Sequence, residues 1–226
     1  MSVFRAVLGI LALVVAVLVA AWWWAPRQDG PDAHLPWHLV VRDDRHVEAM
    51  GWSIGTSTVA EAAGRSQEWG LIKDPDGRWQ LESYADPYLA GSISGKLVLL
   101  WDVPADRLES LAKTLEQQGH YREPQPSGAW KWKLDAAQLA GVSASTLSAM
   151  EFLPAGRLPK EAILQRFGPA AETRQEAGQT TWAWPAKGLV ISRAEQGKVV
   201  MQLTSPGAFR RLWPAQPAST PASAQR

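Results

Sequence analysis

In the segment from Ala129 to Leu134, apolar and polar residues alternate strictly from Trp130 onward, which predicts a β-strand with one buried face. Trp130 and Trp132 then share one face of this strand, and Lys131 and Lys133 share the other. Apolar runs between turn residues predict further strands at 38–42, 46–50, 78–81, 96–101, 147–152, 181–185 and 188–191, and one after the turn at Gly197-Lys198.

Helical spacing appears between these strands. Leu108, Leu111, Ala112 and Leu115 fall on one face of a helix that begins near Pro104 and stops at Gly119. A capping-box spacing, Thr58 with Glu61, begins a second helix, which we expect to reach Trp69-Gly70. A third helix is predicted from Gly156 to Phe167-Gly168, and Asp135 can cap a short helix through Leu139.

The predicted elements occur twice in the same order, over residues 47–100 and 147–202. Gly156 lies 101 positions after Gly55, and Gly197, at the last turn, lies 102 after Gly95, where we expect the equivalent turn. Such self-similarity indicates one supersecondary unit used twice. We therefore expect an α+β protein with two tandem modules, each a helix plus an antiparallel sheet, at 37–103 and 142–213. Residues 104–141 form a connecting helix and strand.

The N-terminal segment 1–26 contains an uncharged apolar run, residues 6–26, that is long enough to span a bilayer as a helix. Trp22, Trp23 and Trp24 lie at its C-terminal edge, where indole rings favour the membrane interface. These features predict a single-pass anchor followed by a Pro- and Asp-containing tether, 27–36. A signal peptide cleaved after the small residues 19–21 is the alternative. The tail 214–226, rich in Pro, Ala, Ser and Gln, is expected to be disordered.

Composition removes several classes of function. The 23 Lys and Arg residues nearly balance the 22 Asp and Glu residues and are scattered, so we expect no nucleic-acid partner. The chain has no Cys, which excludes disulfides, thiol catalysis and a lipid-modified N-terminal cysteine. His34 and His38 flank Pro36 in the tether, and we interpret them as surface residues rather than metal ligands. No catalytic motif occurs, so we expect a protein that is not an enzyme and has no cofactor.

The segment from Leu153 to Pro169 resembles the signature of the SmpA/OmlA family, the BamE-like small subunit of the bacterial outer-membrane β-barrel assembly machine. The resemblance implies a short helix opened by Gly156 and ended by Gly168-Pro169, followed by a three-stranded antiparallel sheet. Two such modules in tandem are also similar in architecture to the β-lactamase inhibitor proteins, which bind an enzyme with a concave sheet surface. Both resemblances imply a binding scaffold. Because the lipoprotein Cys is missing, we expect the modules to be held at the inner membrane, in the periplasm.

Two tryptophan pairs are the candidate binding residues. Trp130 and Trp132, and likewise Trp182 and Trp184, alternate on single strand faces, where aromatic rings can act as binding hot spots. The pairs either cover a helix in each core or line a shared groove. The sequence therefore favours a non-catalytic, membrane-anchored module that binds a protein of the cell envelope and assists its assembly or regulation. The alternative is a periplasmic sensor or carrier that holds a small ligand in a Trp-lined groove.

Overall fold

The computed structural model describes residues 34–65 and 68–215, which lie within one compact unit. The predicted anchor at 6–26, residues 27–33 of the tether and the tail from residue 216 onward fall outside the described residues. No helix among those described combines the length and the apolar character that a bilayer crossing needs.

The strands form two antiparallel sheets. A small sheet contains β1 (Val40–Val41), β2 (Val47–Ala49) and β3 (Trp52–Ile54) in that order. The large sheet contains ten strands, which in chain order are β4 (Glu68–Lys73), β5 (Trp79–Ala90), β6 (Ile93–Asp102), β7 (Glu123–Pro124), β8 (Trp130–Leu134), β9 (Thr146–Pro154), β10 (Glu172–Glu176), β11 (Gln179–Trp184), β12 (Leu189–Ala194) and β13 (Val199–Thr204). Its spatial order is β10-β11-β12-β13-β9-β6-β5-β4-β8-β7.

Strand β9 joins the two predicted modules into this one sheet. It pairs with β13 of its own module through Phe152 and Met201, and with β6 of the first module through Phe152 and Leu97. The first module's own leading strands, β1 to β3, form the small sheet instead. The connecting segment contributes β8 and β7, which extend the sheet beyond β4.

Four α-helices are present in the described residues: α1 (Val59–Ala63), α2 (Ala105–Gln117), α3 (Lys160–Phe167) and α4 (Phe209–Leu212). The predicted capping box is confirmed, because Thr58 Oγ1 accepts from the Glu61 amide and Glu61 accepts from the Thr58 amide. The predicted helix after Pro104 is confirmed as α2. The short helix after Asp135 is a 3₁₀ helix, Ala136–Val142.

Helices α1, α2 and α3 contribute to one continuous apolar core on a single face of the sheet. Leu108 and Leu115 of α2 and Ile163 of α3 are buried in the same cluster as the inward residues of the strands. Along β6 the buried residues alternate with half-buried ones, as a sheet with one covered face requires. We call this the core face, and it carries Leu81, Leu97, Leu99, Phe152 and Met201.

Two details of the predicted repeat are wrong. The first helix does not reach Trp69-Gly70: α1 ends at Ala63, and both residues belong to β4. Trp69 stacks on Trp101 at 5.5 Å between ring centroids, so packing in the centre of the sheet outweighs the helical spacing. The first module also lacks a turn at Gly95-Lys96.

Gly95 lies inside β6, and the chain reverses at Gly91-Ser92, between Ala90 and Ile93. A Cβ on Gly95 would lie 2.7 Å from the Phe152 ring, so the glycine makes room for a core side chain. Gly197 does sit in the predicted turn, with a left-handed φ of 86°. Glycine is therefore required for different physical reasons at the two positions that align the repeat: close packing at Gly95 and a left-handed turn at Gly197.

Candidate functional site

The two tryptophan pairs do not form a shared groove. Strands β8 and β11 are separated by six strands in the sheet, which places the pairs roughly 30 Å apart at the usual strand spacing. Trp132, Trp182 and Trp184 are buried, with 1%, 3% and 5% of their surface exposed, whereas Trp130 is 37% exposed. The structure thus places three of the four rings in the core, and Trp130 at the edge of the sheet beneath the Arg122 guanidinium.

The buried tryptophan rings of β8 and β11 hold neighbouring segments against the sheet. Trp184 Nε1 donates to the Gly168 and Pro169 carbonyls at 3.3 and 3.1 Å, which fixes the end of α3 to the sheet. Trp132 packs against Trp79 with ring centroids 5.4 Å apart. These contacts give the pairs a packing role.

The second face of the sheet, which we call the open face, is polar and partly covered. Cross-strand partners share a face, and the register aligns one row across seven strands: Tyr84, Val98, Glu151, Gln202, Val190, Ala183 and Glu172. Lys131 and Lys133 on β8 and Lys96 on β6 lie on the same face. The open face therefore carries the charged residues that alternate with the buried side chains of the core face.

At the second module, the C-terminal segment covers the open face. Phe209 and Trp213 pack with Ala183 and Val190 in a separate buried cluster. Trp213 Nε1 donates to Glu172 Oε2 at 2.6 Å.

At the first module, a cluster around Tyr84 stands at the rim of a cleft. The Tyr84 hydroxyl donates to the Glu82 carboxylate. The Lys131 Nζ lies 4.1 Å from the centre of the Tyr84 ring, and the Lys96 Nζ lies 5.2 Å from it. Both ammonium groups are thus within cation–π distance of one ring.

Gly70 makes the approach of Lys131 possible. It lies on β4 between Lys131's strand and Tyr84's strand, and it faces the open side. A Cβ at Gly70 would lie 2.8 Å from Lys131 Cε and 3.3 Å from the Tyr84 hydroxyl oxygen. Because this strand residue has no side chain, Lys131 can lean across β4 onto the ring.

Burial changes the acidity of the cluster. Desolvation, opposed by the Tyr84 hydroxyl and both lysines, raises the pKa of Glu82. Burial and the adjacent carboxylate raise the pKa of the Tyr84 hydroxyl, which therefore remains protonated at neutral pH. Desolvation also lowers the pKa of Lys131, against the attraction of Glu82 and Glu68. Perturbed groups gathered at a cleft are typical of functional sites.

The cleft opens beside an irregularity in β5. The register shift between Ala85 and Tyr88 sets two residues, Asp86 and Pro87, opposite the single residue Lys96. Strand β4 begins at Glu68, opposite Tyr84, so from Ala85 onward no described strand pairs with the outer side of β5. The resulting cleft has a volume of about 580 Å³ and is lined in part by Arg65, Glu68, Tyr84, Asp86, Lys96 and Lys131.

Arg65 closes the cleft on the side of the first helix. Its guanidinium lies 4.0 Å from the centre of the Trp52 ring and donates to the Gly51 carbonyl at 3.1 Å. The stacked ring and the carbonyl hold a cation at a defined place on the rim. Asp86 and Glu68 supply the negative charges of the lining.

A second, smaller cavity lies under α3. Its volume is about 120 Å³, and apolar side chains form most of its lining, including Ile163, Phe167 and Met201. Trp37, from the segment that follows the tether, covers one side and lies 4.5 Å below the Arg166 guanidinium. Trp37, from the first module, therefore contacts the second module.

Neither tether histidine is placed in a cluster of potential ligands. His34 lies over Gly51, close to Tyr88, and the His38 amide donates to the Leu35 carbonyl at 2.9 Å. Across residues 34–65 and 68–215, no three His, Cys, Asp or Glu side chains gather as a metal site would require.

The Tyr84 cluster is not among the binding residues predicted from the sequence, where the tryptophans give the stronger signal. The missed residues are Tyr84, Lys96 and Lys131, together with Glu82. One signal was present: the alternation in β8 placed Lys131 on the face opposite Trp132, and Gly70 interrupted an otherwise bulky run. Because the sequence predicts a helix end at Gly70, it does not predict that Gly70 lies on a strand beside Lys131.

No protein-family model matches the chain, and neither the curated proteins nor the solved structures contain a match.

Proposed function

We propose that this chain is a non-catalytic protein-interaction module of the bacterial cell envelope. In this proposal residues 6–26 anchor it in the inner membrane, and two BamE-like modules face the periplasm, where they assist the assembly or regulation of another envelope protein. The observation that carries the proposal is the open face at the first module. It combines a long cross-strand polar surface with a cleft of about 580 Å³.

The chemistry of the cleft supports binding rather than catalysis. Its hydroxyl is hydrogen-bonded to Glu82 and has a raised pKa, so it is not prepared as a base or nucleophile at neutral pH. Tyr84 and Arg65 are instead of the residue types that are enriched as anchors in protein interfaces.

The experiment is site-specific photo-crosslinking in intact cells, with fractionation of the same membranes. A photoreactive residue replaces Val98, in the middle of the open face. The control position is Gln117, which is exposed on α2 on the other side of the sheet. We expect one protein to crosslink reproducibly at position 98 and not at 117, with the chain in the inner membrane. Equal crosslinking at both positions, or none in a soluble chain, would reject the proposal.

A second candidate function is the binding of a small apolar ligand. The Trp-lined groove that we expected for it is not formed, but the cavity under α3 offers an apolar space of about 120 Å³. Cavities of this size and lining can hold a benzene-sized group. Benzene soaked into crystals or titrated by NMR would test it: shifts confined to Ile163 and Met201 support the candidate, and no change at saturation excludes it.

A further inference from the structure

We propose that the cleft beside Tyr84 is a receptor for the carboxylate side chains of an acidic segment of the partner protein. This inference rests on the proposed function and adds the chemistry of the contact. Lys96 and Lys131 would hold the carboxylates, and Arg65 would contact the next acidic residue at the rim.

The charges of the cleft are the first argument. Among the described residues, neither Lys96 nor Lys131 forms an ion pair within 4.0 Å, whereas Lys133 on the same face pairs with Glu123 at 3.2 Å. With Arg65, these two ammonium groups give the lining three cations against the two carboxylates of Glu68 and Asp86. Both ammonium groups flank one ring and can each take up a carboxylate contact. A carboxylate that enters the cleft supplies that contact.

The desolvation of Lys131 is the second argument. Burial disfavours its charge and lowers its pKa, Glu82 and Glu68 oppose that effect, and neighbouring Lys96 and Lys133 add to it. A bound anion would offset both effects, so charge complementarity at this point contributes affinity as well as orientation.

The rim of the cleft favours binding of a partner's side chains over addition of its backbone as a new strand. Pro87 has no backbone N–H, and it stands on the outer edge of β5 where a peptide would otherwise add as a strand. Strand addition is therefore blocked at the bulge. Leu89 is 67% exposed beside it and offers apolar contact to a segment that lies across the cleft.

The test uses the purified full-length chain in detergent and a fluorescein-labelled hexaglutamate peptide, followed by fluorescence anisotropy at low salt. The variant Lys96→Gln/Lys131→Gln removes both ammonium groups and keeps polar side chains that are one atom shorter. Lys133→Gln is the control for the loss of a positive charge on the same face outside the cleft. Circular dichroism and thermal melting confirm that each variant is folded.

We expect the double variant to weaken hexaglutamate binding about tenfold or more, and the control to change it less than about twofold. Binding should also weaken as salt rises. Equal effects of the double variant and the control, or no binding by the wild-type chain, would overturn the inference. So would inorganic phosphate that competes at the same concentration of anionic groups, since the cleft would then be a general anion site.

The two proposals fail separately. If Val98 crosslinks a partner but the double variant binds hexaglutamate as the wild type does, the interaction module stands and the acidic segment does not. If hexaglutamate binds through Lys96 and Lys131 but no protein crosslinks at Val98, the cleft chemistry stands and the interaction partner does not.

Discussion

The open face of the sheet ends differently in the two modules. At the second module the chain's own C-terminal segment seals it, with Phe209 and Trp213 buried over Ala183 and Val190. At the first module the corresponding strands carry Tyr84, and no described helix covers them. One row of cross-strand partners connects the two ends, so the difference arises from what lies on top of the sheet.

This difference separates an end of the sheet that is packed like a core from an end that borders a cleft. The covered end places small residues, Ala183 and Val190, under large aromatic ones, which is how a core is filled. The uncovered end places a ring and two cations beside a cleft, which adds little to a core. We therefore expect substitutions at the covered end to change stability, and substitutions at the uncovered end to change binding.

The largest effect expected from this contrast is on Phe209. Phe209→Ala removes a buried ring and leaves a cavity in its place, so it should lower the free energy of unfolding by about 3–5 kcal/mol. Urea denaturation measures the change. Arg211→Ala, exposed on the same helix, is the control and should change it by less than about 0.5 kcal/mol. A loss below about 1 kcal/mol for Phe209→Ala would mean that the C-terminal segment is not part of the core.

Two glycines give the next contrast. Gly188 has a φ of +63°, and a Cβ there would lie 1.9 Å from the Thr204 carbonyl oxygen, so Gly188→Ala should cost about 2 kcal/mol or more. Gly70→Ala meets only the flexible end of Lys131 and the Tyr84 ring, and should stay within about 1 kcal/mol. Thermal melting compares them, and binding of hexaglutamate should fall for Gly70→Ala because Lys131 is displaced. Similar stability losses at both sites would contradict the contrast.

A smaller effect is expected from one cation at each end. The Arg174 guanidinium lies 3.6 Å from the centre of the Trp213 ring and donates to the Pro214 carbonyl at 2.6 Å, so Arg174→Gln should cost about 1 kcal/mol. Lys131→Gln loses a ring contact but also removes a desolvated charge, and should change stability by less than about 0.5 kcal/mol. Urea denaturation of both variants, side by side, measures the difference, and a larger loss for Lys131→Gln would reverse the comparison.

The sequence predicted the elements with strong local signals. Helix α2, the capping box at Thr58 and the strand with Trp132 each depend on residues close together in the chain, and each is confirmed. Strand β10 was missed because Glu172–Glu176 is a polar edge strand without apolar alternation. The end of α1 was wrong because long-range pairing decided the structure of Trp69 and Gly70.

The candidate site is harder to predict from the sequence than the fold is. Trp182 and Trp184 were candidates because aromatic rings are frequent in interfaces, but their partners in the core lie on distant segments of the chain. The cleft is lined by residues of β3, β4, β5, β6 and β8 and by Arg65 after α1, and three separate strand pairings bring β4, β5, β6 and β8 together. Alternation along one strand assigns a face but does not reveal which strands are neighbours.

The smallest effect concerns the protonation of Glu82 at the uncovered end. Its pKa is raised in the folded chain above the ordinary value, so its contribution to stability is fully present below that value and is lost as pH rises through the folded pKa. The wild type should therefore lose stability relative to Glu82→Gln between about pH 4 and pH 7, with the ammonium groups and the Tyr84 hydroxyl limiting the loss.

Asp74→Asn is the control for the same titration. Hydrogen bonds from the Arg78 amide and guanidinium lower the Asp74 pKa, so its contribution is lost as pH falls from the ordinary aspartate value through the folded pKa. Arg78 keeps its charge, so the difference from the wild type should change little between about pH 4 and pH 7. Urea midpoints of the three proteins across that range measure both trends. A flat difference for Glu82→Gln would show that the carboxylate is as well solvated as an exposed one, and the uncovered end would then hold no desolvated cluster.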